Sequence, residues 1–378
     1  MTDLEDRIRE ALKDPRRQLP VWPDPIPRIR RSVRRQRATA IAVTAVILAG
    51  IVTPLALLAG LTAHGVSPRG HGPTVGGTPS SPVSGLFGPS AGLGGPVPPW
   101  AKQLRGEVAY KCGDRICLMR PDGRGSRTLT ATFPEWDPAW SPNGRDLTFR
   151  GYYGSGDGAY DLYEVAVNGC HLTRLTHQMN GTSSSWAPNG RQIAFSVPLG
   201  LYVINADGTG LRRLLGSVRR YAYGVDTPAW SARNRIAYAR YQPSRHRTEI
   251  YTVNSNGSGN TPLTRGTASF AQPSWSPDGK SIAFVANPSG AASIEVAAAD
   301  GAGVHRVTPR SWTSYSPTWT PGGKIVFLRQ IGAPTQSAAA PTSAYIVSLD
   351  GSHLRLLYKN LDAIQITWGP AALPRATC

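Results

Sequence analysis

The sequence predicts an all-β fold, a closed six-bladed β-propeller with four strands in each blade. Three observations carry that expectation. One hexapeptide theme recurs as Trp140-Ser-Pro-Asn-Gly-Arg145, Trp186-Ala-Pro-Asn-Gly-Arg191, Trp230-Ser-Ala-Arg-Asn-Arg235, Trp275-Ser-Pro-Asp-Gly-Lys280 and Trp319-Thr-Pro-Gly-Gly-Lys324, with a truncated copy at Trp368-Gly-Pro370. These tryptophans lie 46, 44, 45, 44 and 49 residues apart, a period that fits one blade per repeat. The ends of the array also complete one another. Residues 107–130 read as the second, third and fourth strands of a blade without its first, and Ile366-Thr-Trp368 as a first strand with nothing after it. Pairing the two closes the ring and removes exposed sheet edges.

Taken from the N-terminus, four segments are expected. Residues 1–38 form a basic segment, with Leu4, Ile8 and Leu12 at helical spacing in its first part. Residues 39–63 are almost wholly apolar, and about 20 such residues cross a bilayer as a helix. Arg28, Arg30, Arg31, Arg34, Arg35 and Arg37 precede that span, and Arg69 alone follows closely. The positive-inside rule then puts the N-terminus in the cytoplasm and the rest outside. Residues 64–100, rich in Gly, Pro and Ser, read as a disordered linker. Residues 101–378 are the propeller. Within each repeat a strand ends at Trp, an Asx-Gly turn follows, and an alternating strand such as Ile193-Ala-Phe195 or Ile282-Ala-Phe-Val285 comes next. A third strand then runs to a second Asx-Gly turn, as at Asn168-Gly169 and Asp300-Gly301, and a short basic fourth strand completes the blade.

The Trp-Ser-Pro-[Asp/Asn]-Gly-[Arg/Lys] signature, followed by an [Ile/Leu]-Tyr strand, Asp-Gly and Arg-Leu-Thr, resembles the TolB-type propeller repeat over roughly residues 105–370. The resemblance implies a six-bladed propeller of the cell envelope that acts mainly through protein contacts. The chain departs from the family in three ways. Nothing matches the family's N-terminal α/β domain. The family's soluble form is replaced here by an expected membrane anchor. The third repeat, Trp230 to Arg235, has lost its Pro-Asx-Gly turn.

The net charge of +18 is spread along the chain: residues before position 40 hold 11 basic against 6 acidic, and the remainder 30 against 17. A basic exported domain suits an envelope protein or an anionic envelope polymer, and its location argues against nucleic acid. Abundant Arg, Ala, Gly and Pro also fit high-GC bacterial coding. A monomer is expected. Four cysteines beyond the span fit an oxidising compartment. Cys112 and Cys117 are spaced to pin a hairpin as a disulfide, and Cys170 and Cys378 are a possible second pair.

A site is expected on the face formed by the loops leading into each innermost strand and those joining the second and third strands. The candidate ligand-binding residues there are Trp136, Tyr152, Tyr153, Arg220, Tyr223, Arg245, Arg310, Trp312 and Tyr315, since Trp, Tyr and Arg anchor binding surfaces. The repeated tryptophans read instead as packing between blades. Catalytic motifs are lacking: the Gly88-Pro-Ser-Ala-Gly92 string lies in the Gly/Pro/Ser-rich linker and not in a strand-to-helix elbow, no His-Glu-x-x-His and no metal-ligand spacing occurs, and no catalytic residue, metal or cofactor is assigned. Two carboxylates over the channel about 5–9 Å apart would point to chemistry instead, as in a lyase-like carbohydrate-active enzyme. A third expectation is a transmembrane sensor whose inner segment reports on the outer domain.

Overall fold

A computed structural model describes residues 99–130, 134–152, 160–181, 183–198, 200–216, 225–287, 291–332, 342–361 and 363–371. The expected inner segment, membrane span and nearly all of the linker lie outside the described residues. Among the described residues no helix is long and apolar enough to cross a membrane.

Six four-stranded antiparallel sheets form the ring. Blade 1 comprises β4 (Glu135–Trp140), β5 (Asp146–Tyr152), β6 (Tyr160–Ala166) and β7 (Thr173–Arg174). Blade 2 comprises β8 (Ser184–Trp186), β9 (Gln192–Val197), β10 (Gly200–Asn205) and β11 (Arg212–Gly216). Blade 3 comprises β12 (Val225–Trp230), β13 (Arg235–Gln242), β14 (Arg247–Asn254) and β15 (Thr261–Pro262). Blade 4 comprises β16 (Phe270–Trp275), β17 (Ser281–Ala286), β18 (Ser293–Ala298) and β19 (His305–Arg306). Blade 5 comprises β20 (Thr313–Trp319), β21 (Ile325–Gln330), β22 (Thr342–Val347) and β23 (Arg355–Tyr358). The closing blade joins β24 (Ile366–Trp368) to β1 (Val108–Cys112), β2 (Arg115–Met119) and β3 (Arg127–Thr128).

That last sheet is the expected junction of the two ends. Val108, Ala109 and Tyr110 pair with Trp368, Thr367 and Ile366. The Trp368 indole N–H donates to the Arg105 carbonyl at 2.8 Å, and the Tyr358 hydroxyl donates to that of Pro121 at 2.8 Å. Gly106, at φ 98°, lets the chain approach so closely that a Cβ there would lie 2.6 Å from the Gly369 carbonyl oxygen.

The repeat motif explains itself locally. In the first turn the Gly144 amide bonds to the Ser141 carbonyl, while the Ser141 hydroxyl donates to Asn143 and accepts from the Asp146 amide. The divergent third repeat keeps the same turn. Asn234 occupies the glycine's place at φ 61°, a conformation asparagine tolerates, and its side-chain oxygen accepts the Trp230 indole N–H at 2.9 Å. All six tryptophans are buried, and their indoles stitch neighbouring blades where the next carbonyl is in reach. Trp275 donates to Ala229 at 3.1 Å and Trp319 to Ser274 at 2.9 Å. The Leu-Thr or Val-Thr pair just after the fourth strand is likewise structural: the hydroxyls of Thr176, Thr264 and Thr308 accept the amides of Leu162, Ile250 and Ile294.

The Cys112–Cys117 disulfide joins β1 to β2 with Cα atoms 5.8 Å apart. Cys170 is also disulfide-bonded, and Cys378 lies outside the described residues.

Candidate functional site

The innermost strands β4, β8, β12, β16, β20 and β24 line a central channel of about 330 Å³. Four of them share a feature that the repeat tryptophans obscured in the sequence. Asp137, Thr227, Gln272 and Ser316 each precede a proline and each sit at positive φ, at 56°, 48°, 51° and 54°. At each point the pairing register slips, between Trp136 and Ala139, Asp226 and Ala229, Ala271 and Ser274, and Tyr315 and Thr318. These are β-bulges, and they accommodate the prolines that a central strand otherwise excludes. The readable signal was x-Pro-x-Trp in the blade-ending strand, since a proline inside a paired strand demands a bulge.

The bulges give the channel wall polar side chains that bond across blade seams. Gln272 accepts the Ser316 amide at 2.8 Å, and the Ser316 hydroxyl accepts the Ile366 amide at 3.2 Å. Gln365 accepts the Asp137 amide at 2.8 Å and donates to the Asp137 carboxylate. Asp137 also faces the Arg150 guanidinium at 3.3 Å. It is the one carboxylate among the described lining residues, which include no histidine. Among the described residues the wall therefore holds no carboxylate pair of the kind glycosidic chemistry uses.

Two stacks of rings and guanidinium groups stand near the loop face. In blade 1, Arg150 lies 5.3 Å from the Trp136 ring centroid and 4.9 Å from that of Tyr160, while Lys111 covers Trp136 at 5.3 Å. Tyr152 packs on Tyr160 at 5.3 Å. In blade 5, Arg329 lies 3.8 Å from the Trp312 centroid, and Trp312 packs on Tyr345 at 4.6 Å. Arg150 directly follows Phe149, whereas Arg329 lies two residues after Phe327, so the two emerge on opposite faces of their sheets.

Residues 209–371 match the TolB beta propeller domain, in keeping with the propeller seen here. That stretch carries a TolB-type propeller domain. Over 226 residues it is 28% identical to the Tol-Pal system protein TolB of Francisella tularensis subsp. tularensis, covering 57% of this chain and 49% of that protein. It thus spans about half the length of that relative. Among solved structures, TolB from Acinetobacter baumannii superposes with a TM-score of 0.57 at 18% identity, covering 70% of this chain and 67% of that one. The structure of a putative TolB from Agrobacterium tumefaciens gives 0.53 at 21% identity, covering 68% and 89%. At these identities the solved structures show the shared fold.

On this TolB-type propeller the expected site residues separate into groups. Trp136 and Tyr152 meet through Tyr160, and Trp312 and Tyr315 both pack at the seam of blades 4 and 5. Tyr315 is half-buried, and burial pushes its phenol up to about 12. Arg245 stands apart, in the short 3-10 turn between β13 and β14, where it donates to Glu249 at 2.9 Å. Arg310 is exposed. Tyr153, Arg220 and Tyr223 lie outside the described residues. Tyr160 belongs with the aromatics expected between the second and third strands, whereas Arg150, Arg329 and Tyr345 lie on regular strands and carry no loop signal.

Proposed function

We propose that this chain is a membrane-tethered, extracytoplasmic binding module whose propeller grips an envelope protein through the loop face and channel mouth. The carrying observation is the pair of Trp–Arg–Tyr stacks beside a polar channel with a single carboxylate, a surface of rings and guanidinium groups rather than of acids and bases. Tyr, Trp and Arg are the side chains that carry binding energy at protein interfaces. The disulfides favour an oxidising compartment. So does the apolar span at residues 39–63 with arginines before it. The relative named for the Tol-Pal system supports an envelope setting. Anionic glycan is the second ligand class, favoured by the +18 charge.

Tagged full-length chain, crosslinked in intact cells and recovered from detergent, tests this reading against a variant with Trp136→Ala, Arg220→Ala and Trp312→Ala. Specific envelope proteins should be retained by the parent and lost by the variant. Equal recovery by both would move the binding surface elsewhere. Protease added to whole cells should degrade the propeller and leave residues 1–38 intact. Protection of the propeller would reverse the orientation.

A further inference from the structure

Resting on the reading of the loop face as a protein-binding surface, we infer that Arg329, held between Trp312 and Tyr345 with Ser314 beside it, is a receptor for a carboxylate side chain of an acidic partner segment. The guanidinium is the centre of the site. Its Nη1 donates to the Tyr345 hydroxyl at 3.3 Å, and its Nε–H is buried with no acceptor. Ser314, directly across from it in the β20–β21 ladder, is fully buried, and its hydroxyl also lacks a partner. Buried polar groups of native proteins are nearly always satisfied, so two unmet donors side by side point to a missing acceptor.

The rest of the molecule indicates what that acceptor is. Arg150, the other stacked arginine, faces the carboxylate of Asp137 at 3.3 Å. Blade 3 offers the closer analogue. There Arg240 lies over Tyr251 at 5.2 Å, and the residue opposite it in the ladder is Glu249, which Arg245 and Arg247 engage at 2.9 and 3.0 Å. In blade 5 the residue opposite Arg329 is Ser343, which is occupied in accepting the Asn360 amide. No carboxylate among the described residues pairs with Arg329. Guanidinium groups bind carboxylates strongly, and Nη2, which is not sealed as Nε is, is the donor an incoming carboxylate reaches first. Arg310, exposed two residues before Trp312, adds a second cation for a neighbouring acidic residue. A single guanidinium flanked by rings suits one acidic side chain, a Glu of a protein segment.

Titration of the full-length chain with an acetylated, amidated Gly-Glu-Gly-Glu-Gly peptide bearing a neutral dye, read by fluorescence anisotropy, tests the assignment. The Gln counterpart of the peptide and an oligouronate of equal charge serve as comparison ligands. Arg329→Gln should weaken the Glu peptide by about tenfold or more. Arg329→Lys, which keeps the charge and the fold but loses the fork, should weaken it by roughly three- to fivefold. Arg355→Gln, an equal change of charge on the outer strand of the same blade, should leave it unaltered. Equal affinity for the Gln peptide, or Arg329→Gln within twofold of the parent, would overturn the assignment. Tighter binding of the oligouronate would transfer the site to a polymer and overturn it as well. The crosslinking experiment separates this from the wider reading. Partner retained by Arg329→Gln sinks the site and spares the module, whereas no partner retained by the parent sinks the module.

Discussion

Blades 1 and 5 each stack an arginine on a tryptophan and a tyrosine, yet only blade 1 supplies a carboxylate of its own. Asp137 faces Arg150, and Gln365 of the closing blade braces Asp137 from the other side. The blade 1 stack is therefore part of the ring's closure. In blade 5 the bulge residue matching Asp137 is Ser316, and Arg329 is left with a phenol oxygen and two rings. One chemistry thus does two jobs, and what decides between them is whether an anion is built in.

The largest effect expected from this difference is on stability in blade 1. Asp137→Ala should cost about 2–3 kcal/mol, because it strands a partly buried guanidinium and removes one of the side-chain bonds that link the last blade to the first. Asp137→Asn keeps a side chain suited to positive φ and an acceptor for Gln365, and should cost roughly half as much. Urea unfolding of both variants measures this. Equal midpoints for parent and Asp137→Ala would remove the closure role. Asp137→Asn should also open a second equivalent of binding for the Glu peptide at Arg150, and unchanged stoichiometry would show that Arg150 is inaccessible.

Arg329→Gln gives the opposite expectation, a change within about 1 kcal/mol. The lost cation–π contact is offset by the removal of a charge without a counterion. A loss above about 2 kcal/mol would make the blade 5 stack a brace like that of blade 1.

Glu164 sharpens the contrast, since it is an unpaired, half-buried carboxyl that can neutralise itself. Burial first, and then the Asp146 carboxylate, push it up from 4.5 to about 7. The folded state thus holds this proton more tightly than the unfolded chain does. Glu164 costs nothing at pH 4 and progressively more as the pH rises from about 4.5 through about 7. Glu164→Gln should therefore stabilise by about 1–2 kcal/mol at pH 8, a range reduced for water at the blade seam, and by nothing near pH 4. A pH-independent gain would assign the effect to packing.

The ring itself was legible in the sequence because its signals are local and repeated. Trp-Ser-Pro-Asn-Gly specifies a turn by its own hydrogen bonds, and five copies with a truncated sixth fix the number of blades. Even Asn234, where the motif decays, keeps the backbone state that glycine takes elsewhere. The closing blade was readable from the complementary ends, Val108–Cys112 and Ile366–Trp368. The stacks were only half readable. Trp136 and Trp312 stood out as ring-bearing loop residues, but their arginines sit in strands whose alternation looks ordinary. Whether Arg150 or Arg329 meets a carboxylate depends on residues brought in by register and by bulges, as with Asp137 and Gln365, which are 228 positions apart. Pairings of that kind have no local signature.

The smallest expected effect tests how Arg329 is seated. Tyr345→Phe retains the ring that packs on Trp312 and on Phe327, and removes only the hydroxyl that accepts from Nη1 at 3.3 Å. A neutral acceptor at that length contributes little, so the urea midpoint should move by less than about 0.5 kcal/mol. Affinity for the Glu peptide should stay within about twofold, since stacking on Trp312 at 3.8 Å already fixes the guanidinium plane. A stability loss above about 1 kcal/mol would mean that the phenol oxygen, rather than the rings, positions Arg329. The blade 5 stack would then already hold its own acceptor, as the blade 1 stack does, and the distinction between the two blades would fall.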